Sequence, residues 1–178
     1  MLKKRIIKVL LASAAYSAMA ASGQTMDTPA ASALNKADQQ LVVSMARANL
    51  GEIETARLAL ANSQNAEVKA YAQQMVDDHT RALADVTALA QNKGVILPGG
   101  PDAKLKGLAG RLGKLKGEKF DRAYMAQAGV AQHKQVHATL KKGEARAKDP
   151  DVKALAAKML PTVEQHLQVA TSKPGGAK

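Results

Sequence analysis

The stretch AEVKAYAQQMVDDHTRALADVTALAQN, residues 66–92, predicts one long amphipathic helix. Its apolar face runs through Val68, Ala72, Met75, His79, Ala82, Val86 and Leu89. Neither Pro nor Gly interrupts the stretch, and Lys93-Gly94 follows it as a stop signal. A long helix with one apolar face must bury that face against similar elements, so the stretch indicates a helical bundle.

Three further segments repeat this period, and we expect helices over about 35–62, 118–148 and 150–170. The short polar connection at residues 62–65 requires the first two helices to lie antiparallel. Residues 93–117 are rich in Gly, Pro and Lys, which predicts a long crossover with one short helix at about 102–112. The predicted fold class is therefore all-α: a ferritin-like four-helix bundle over residues 35–170, built from two hairpins joined by the crossover.

Composition supports this fold class and excludes several kinds of site. Aromatic residues make up 2% of the chain and Trp is absent, which argues against an all-β core. Cysteine is also absent, which excludes disulfides, thiolate metal sites, thiol catalysis and lipid attachment at a Cys. Any metal site would need His and carboxylate ligands.

The N-terminal residues resemble a secretory signal peptide. Lys3, Lys4, Arg5 and Lys8 precede a short apolar run, and Ala18-Met19-Ala20 suits signal peptidase. The apolar run is shorter than the roughly 20 residues of a membrane-spanning helix, and no later segment is apolar enough to be one. We expect residues 1–20 to be cleaved after Ala20, leaving an exported, periplasmic chain without a transmembrane segment.

The mature chain should begin with a flexible segment at residues 21–34 and end in a loose tail at residues 171–178. Cleavage leaves 22 Lys and Arg against 15 Asp and Glu, so the formal charge falls from +11 to +7. In the periplasm, that charge favours anionic envelope components over nucleic acid, for which stacking aromatics are also lacking. The basic residues between Lys104 and Lys119 in the crossover would form such a docking surface. The oligomeric state does not follow from the sequence.

Each predicted helix carries a polar residue on its apolar face. The faces run through Leu41, Met45, Ala48, Glu52, Ala56 and Ala59 in the first helix, through Ala126, Val130, His133, His137 and Leu140 in the third, and through Val152, Ala156, Met159, Val163, His166 and Ala170 in the fourth. All four histidines of the chain thus fall on core faces. Because Glu52, His79, His133 and His166 are all near mid-helix, their side chains can meet at one level of a bundle.

A buried carboxylate and buried imidazoles need partners, because burial strips them of water. One interpretation is a site for a single zinc, iron, copper or manganese ion, held by Glu52, His79, His133 and His166. The alternatives are a metal-free hydrogen-bonded network, histidines that lean toward solvent, and a core that loosens when acid charges the imidazoles.

Two neighbouring residues are possible additions to this site. His137 lies four residues after His133 on the same helix face and is a possible extra ligand. Asp78 either orients His79 or Arg81 as an outer partner or is an ordinary surface acid.

The sequence gives no support to an enzyme. Carboxylate di-iron bundles place Glu three residues before His, whereas Val76 and Val163 occupy those positions before His79 and His166. A Gly-rich phosphate loop, a Ser/His/Asp arrangement and paired hydrolytic acids are also missing, so we assign no catalytic residue.

Several motifs together resemble domain-of-unknown-function family 4142. They are Asn49-Leu50-Gly51-Glu52-Ile53, Val68-Lys69-Ala70-Tyr71-Ala72, Met75-Val76-Asp77-Asp78-His79-Thr80, Phe120-Asp121-Arg122-Ala123-Tyr124-Met125, and Leu160-Pro161 leading to His166. The resemblance covers about residues 37–170. Members of that family are often labelled outer membrane proteins and considered ferritin-like.

The resemblance implies an exported four-helix bundle in which Glu52, His79, His133 and His166 occupy the family's recurring polar positions. It implies no established activity. Two hypotheses follow from the sequence. In the first, the bundle binds one metal ion and acts in metal handling or envelope stress. In the second, it is a metal-free structural module that docks on anionic envelope surfaces through its crossover.

Overall fold

The computed structural model describes residues 33–173, and all the regular secondary structure in that part of the chain is helical, without a strand. The signal peptide at residues 1–20, its cleavage site, most of the segment 21–34 and the end of the predicted tail lie outside these residues. In chain order the helices are α1 (Lys36–Asn62), α2 (Ala66–Asn92), α3 (Ala103–Leu112), α4 (Gly117–Tyr124), α5 (His133–Arg146) and α6 (Pro150–Ser172), with a π-helix at Met125–Gln132 between α4 and α5.

The four rods of the bundle are α1, α2, the continuous run from α4 to α5, and α6. The α1–α2 and α5–α6 pairs make the most extensive contacts and are joined by connections of three residues, so each pair is an antiparallel hairpin. The crossover between them contains α3, which packs on α1. The all-helical four-helix-bundle prediction is therefore confirmed.

Side-chain caps explain where the long helices begin. The side chain of Asn35 accepts hydrogen bonds from the first turn of α1, Asn65 does so for α2, and Asp149 does so for α6. Each cap satisfies backbone N–H groups that have no partner inside the helix. Pro150 follows Asp149 in the first turn of α6, where its missing N–H costs nothing.

The third rod differs from the single α-helix that the sequence predicts over residues 118–148. The π-helix at Met125–Gln132 interrupts it, and its last helical residue is Arg146. A π-helix has hydrogen bonds from residue i to i+5 and accommodates more residues per turn than an α-helix. A pattern of apolar residues at three- and four-residue intervals has the period of an α-helix, so it does not reveal a wider π-helical turn.

A polar layer divides the core into two apolar halves. One half contains Tyr71, Met75, Phe120 and Tyr124, and the other contains Val42, Met45, Val86, Leu140 and Val152. Along every rod, buried polar residues lie between the positions that build one half and those that build the other. They include Asn49, Glu52, His79, His133 and His166.

Two close contacts fix the elements around this layer. A Cβ atom at Gly51 would lie 2.8 Å from Leu105 Cδ1, so the glycine allows α3 to approach α1. The buried carboxylate of Asp38 in α1 accepts the backbone N–H groups of Lys148 and Asp149, which ties α1 to the α5–α6 connection. Within residues 33–173, every helix is too short or too polar to cross a membrane.

Candidate metal centre

Three histidines from three helices meet in the polar layer. His79 comes from α2, His133 begins α5 and His166 lies in α6. One ring nitrogen of each lies within 4.8 Å of those of the other two, and the ring centroids are 5.3–5.5 Å apart. The residues are 5%, 1% and 0% exposed, respectively. The cluster can therefore hold a metal ion away from bulk water.

In each ring, the nitrogen that faces away from the cluster centre, here called the outer nitrogen, lies within hydrogen-bond distance of an oxygen atom. His79 Nδ1 lies 2.8 Å from Asn49 Oδ1, and His133 Nδ1 lies 3.0 Å from the carbonyl oxygen of Ala128. His166 Nε2 lies 2.8 Å from Asp78 Oδ2. Such outer contacts fix the tautomer and the orientation of an imidazole, as is typical of metal-ligating histidines.

These contacts determine which ring nitrogen of each histidine carries hydrogen. The Nδ2 group of Asn49 donates to the carbonyl oxygen of Met45 at 2.9 Å, so the amide oxygen of Asn49 faces His79 and accepts from Nδ1. The Ala128 carbonyl and an ionised Asp78 carboxylate are likewise acceptors only.

In the neutral rings, the lone pairs are consequently on His79 Nε2, His133 Nε2 and His166 Nδ1. His79 Nε2 is buried and has no hydrogen-bond partner among residues 33–173. His133 Nε2 and His166 Nδ1 lie 3.3 Å apart. Two of the three lone pairs thus lie close together, and the third is unpartnered.

Burial keeps these imidazoles neutral. It lowers the pKa of His133 to about 4 and that of His79 well below the ordinary value, with like-charge repulsion from the neighbouring imidazoles adding to the effect at His79. Burial also lowers the pKa of His166, although the hydrogen bond to Asp78 opposes the shift. All three rings are therefore in the form that binds metals at neutral pH.

Glu52 lies beside the three histidines but outside their nitrogen set. Its Oε1 is 3.7 Å from His133 Nδ1, whereas the Nε2 edge of that ring faces His166. Burial raises the pKa of Glu52 to about 8, so the carboxyl is largely protonated at neutral pH. Glu52 Oε1 and Tyr124 OH are both buried without a hydrogen-bond partner in the described part of the chain. The role of Glu52 as a fourth ligand remains a prediction.

Of the other two sequence candidates, His137 lies elsewhere than expected, and Asp78 has one expected partner, Arg81, and one unexpected partner, His166. His137 is not on a core face: its side chain is partly exposed, and its Nε2 pairs with Glu164 Oε1 at 2.8 Å. A step of four residues turns a helix by about 400°, which rotates His137 by about 40° from His133 toward the rim of the bundle. Asp78 contacts Arg81 and His166, so the histidine that it orients is His166 rather than His79.

Two outer contacts escaped the sequence interpretation. Asn49 is buried, whereas Ala48, which the apolar period places on the core face, is only partly buried. The signal that could have found Asn49 is its position four residues after Met45 and three before Glu52, both of which are buried. The Ala128 carbonyl has no side-chain signal, because the local π-helix places it against His133.

Two hollows on the protein surface reach the polar layer. The first, here called the α2–α6 groove, has a volume of about 490 Å³ and is lined by residues that include Asp78, His79, Thr162 and His166. The second, here called the α1–α5 cavity, has a volume of about 170 Å³. Its lining includes Asn49, His79 and Thr139, with residues of α3 at one side.

Comparisons with known proteins give a family and a fold. The family described as Domain of unknown function (DUF4142) matches residues 23–172. A crystal structure of a DUF305 fragment from Deinococcus radiodurans is similar at 16% identity and a TM-score of 0.70, covering 79% of this chain and 96% of that one. A crystal structure of a DUF305 protein from Streptomyces coelicolor is similar at 15% identity and a TM-score of 0.66, covering 76% of this chain and 89% of that one. At these identities the likeness shows the fold alone. No curated protein matches the chain.

Proposed function

Because the chain belongs to the family Domain of unknown function (DUF4142), whose description names no activity, we propose its function from the polar layer: it binds one transition-metal ion through His79, His133 and His166. One observation carries this proposal. Each ring gives its N–H to an outer acceptor, so that three buried lone pairs are left at the centre.

A cation resolves the electrostatics of this arrangement. The lone pairs of two nitrogens 3.3 Å apart in a low-dielectric layer repel each other, and a third buried nitrogen has no hydrogen-bond partner among the described residues. Zinc–nitrogen bonds of about 2.0–2.1 Å at tetrahedral angles place two ligand nitrogens about 3.3 Å apart. The His133–His166 pair therefore already has the separation that a tetrahedral ion requires.

The donor set narrows the choice of metal. Neutral imidazoles suit zinc, copper, iron and nickel, whereas magnesium, calcium and manganese prefer oxygen ligands. With Glu52 outside the nitrogen set, zinc, copper and iron fit better than manganese. In the exported setting that the N-terminal sequence predicts, such a site would hold or carry a metal ion, and this is the role that we propose.

Equilibrium titration of the untagged protein with Co²⁺ tests the proposal, because the visible spectrum of Co²⁺ reports nitrogen coordination. We expect one ion per chain in the wild type and loss of the high-affinity site in His79→Ala, His133→Ala and His166→Ala. His137→Ala is the matched control, because it removes an imidazole that pairs with Glu164 instead. Equal binding by the wild type and the three core variants would overturn the proposal.

A Glu52→Gln variant distinguishes a site of three histidines from a site in which Glu52 is a fourth ligand. A glutamine has nearly the same shape but cannot ionise, so full binding by this variant would leave the three histidines as the protein ligands. A loss as large as that of His79→Ala would instead show that Glu52 moves onto the ion.

A second candidate function rests on the charge of the crossover. Five basic residues in or beside α3 are exposed and form no ion pair with any residue from 33 to 173: Lys104, Lys106, Arg111, Lys114 and Lys116. We propose that this basic surface docks on anionic envelope lipids. Changing the five residues to Gln should abolish binding to vesicles rich in anionic lipid and leave metal binding intact, whereas unchanged vesicle binding would remove the idea.

A further inference from the structure

The two hollows differ in how they meet the histidines. The α2–α6 groove is lined by both His79 and His166, whereas the α1–α5 cavity is lined by His79 alone among the three. Asn49 also lines the cavity, and it holds the Nδ1 edge of His79. The cavity thus meets His79 together with the residue that already holds one of its ring nitrogens.

The ring of His166 separates the groove from the centre of the cluster. Its Nε2 contacts the carboxylate of Asp78, a residue of the groove wall whose side chain is 18% exposed. Its Nδ1 points inward and lies 3.3 Å from His133 Nε2. One ring therefore reaches from the groove wall to the ligand nitrogens, and a rotation of that ring would open a path between them.

The charged residues of the groove include one carboxylate that contacts the histidine cluster. Arg81 and Lys158 also line the groove, but Arg81 pairs with Asp78 and Lys158 pairs with Asp85. The four charges sum to zero, so the groove as a whole does not attract a cation. Asp78 is the carboxylate in direct contact with a cluster histidine, and an ion that reaches it is one imidazole away from the site.

We propose that the metal ion enters and leaves through the α2–α6 groove, with Asp78 as the carboxylate that it meets beside the cluster and the His166 ring as the gate. This inference rests on the proposed function, since it concerns the route to the same three nitrogens. It adds a role for Asp78 beyond orientation of His166. It concerns the rates of metal loading and release, which an equilibrium titration does not measure.

Stopped-flow loading with Co²⁺, followed by removal with excess chelator, tests the route. Thr162→Trp fills the groove from an exposed position, and Thr139→Trp places the same bulk in the α1–α5 cavity as the matched control. A plug raises the barrier in both directions, so Thr162→Trp should slow loading and release by the same factor, about tenfold, and leave the Kd unchanged. Thr139→Trp should change neither rate.

An Asp78→Asn variant tests the carboxylate separately. The asparagine oxygen can still accept from His166 Nε2, so the tautomer is preserved while the charge is lost. Loading should slow about fivefold at low salt, because the groove then carries one net positive charge, and added salt should restore part of the rate, which a merely structural contact would not predict.

The outcomes distinguish the route from the site. A wild type that binds no Co²⁺ removes both the proposed function and the route. A wild type that binds, with rates unchanged in Thr162→Trp or slowed only in Thr139→Trp, overturns the route and leaves the site. Circular dichroism of each variant checks that the bundle is folded.

Discussion

The tautomers of three histidines depend on a few outer contacts. Asn49 illustrates this dependence: its amide nitrogen is committed to the Met45 carbonyl, so its oxygen fixes the proton on His79 Nδ1 and leaves Nε2 free. Outer partners of this kind typically affect metal affinity about 10–100-fold when they are removed. At the scale of single residues, the site therefore depends on the outer hydrogen-bond acceptors as well as on the three histidine ligands.

Asn49→Ala should weaken the binding of Co²⁺ by about 10–100-fold and lower the free energy of unfolding of the metal-free protein by about 1–3 kcal/mol, since it leaves a buried ring N–H unpaired. Asn65→Ala is the matched control, because it removes the cap of α2 at a cost of about 1 kcal/mol without touching a histidine. Co²⁺ titration and urea denaturation measure both effects. Equal Co²⁺ affinities in the two variants would show that Asn49 does not orient His79.

Glu52 should make the metal-free protein less stable as the pH rises. Burial raises the folded-state pKa of Glu52 to about 8, whereas the unfolded value is near 4.5, so between these pH values folding takes up a proton at Glu52. The stability that this proton contributes is therefore lost as the pH rises from about 4.5 to 8. Between pH 6.5 and 8 the wild type should lose about 2 kcal/mol of unfolding free energy that Glu52→Gln does not lose. Urea denaturation with chelator present measures it, and Glu54→Gln, at an exposed position of the same helix, is the control. Parallel pH profiles of the wild type and Glu52→Gln would contradict a protonated Glu52.

The histidines act in the opposite direction. Their folded-state pKa values are lowered, so the unfolded chain binds more protons once the pH falls below about 6.5, and stability is lost toward pH 4. The free energy of unfolding of the metal-free protein should therefore decline on both sides of about pH 6.5. Bound metal should extend the stable range toward lower pH, because it occupies the same nitrogens. A metal-free melting temperature that is unchanged between pH 7 and 5 would contradict this account.

At the scale of elements, the π-helix is the part of the fold most closely tied to the site. It ends at Gln132, the residue before His133, and the His133 ring reaches back five residues to the Ala128 carbonyl. π-Turns inside longer helices occur frequently at functional sites because they redirect side chains. Here the local widening gives His133 its outer acceptor.

Deleting Gln127, an exposed residue of the π-helix, tests this link. Removal of one residue should let the segment return to an α-helix, which abolishes the contact between His133 Nδ1 and the Ala128 carbonyl and weakens Co²⁺ binding at least about tenfold. Gln127→Ala keeps the residue count and should bind as the wild type does. A deletion variant that is folded by circular dichroism and binds Co²⁺ normally would show that the π-helix is not needed for the site.

At the scale of the whole molecule, the histidine cluster joins the two hairpins. His79 belongs to the α1–α2 hairpin, whereas His133 and His166 belong to the hairpin of α5 and α6. An ion bound by all three closes the bundle across the interface of the hairpins, at the level where the apolar core is interrupted. Metal binding should therefore raise the free energy of unfolding of the whole bundle.

Zinc at 100 times its Kd should raise the free energy of unfolding by about 2.7 kcal/mol, provided that the unfolded chain does not bind it. His137→Ala should keep this gain, and His166→Ala should lose it. Urea denaturation with and without zinc measures the difference. A gain in His166→Ala equal to that of the wild type would mean that zinc stabilises the protein elsewhere.

The sequence predicted the bundle because its signals repeat over many residues. The apolar period of α2, the short polar connection at 62–65 and the Asp149-Pro150 start of α6 each point to the same architecture. It also selected His79, His133 and His166, since a polar residue on an apolar face is visible in one helix at a time.

The rest depends on small angles and on backbone atoms. A difference of about 40° on α5 separates a core His133 from a rim His137, and one widened turn brings up the Ala128 carbonyl. The partner of Asp78 is on a helix 88 residues away, which no local pattern encodes. Such details follow from how the rods rotate against each other.

The most direct test of the central claim is the metal content of the untagged protein, isolated from its own cells without chelator and measured by elemental analysis. A three-histidine site predicts close to one zinc, copper or iron ion per chain, retained in His137→Ala and lost in His166→Ala. Wild-type protein that carries no transition metal, or carries as much as His166→Ala does, would contradict it.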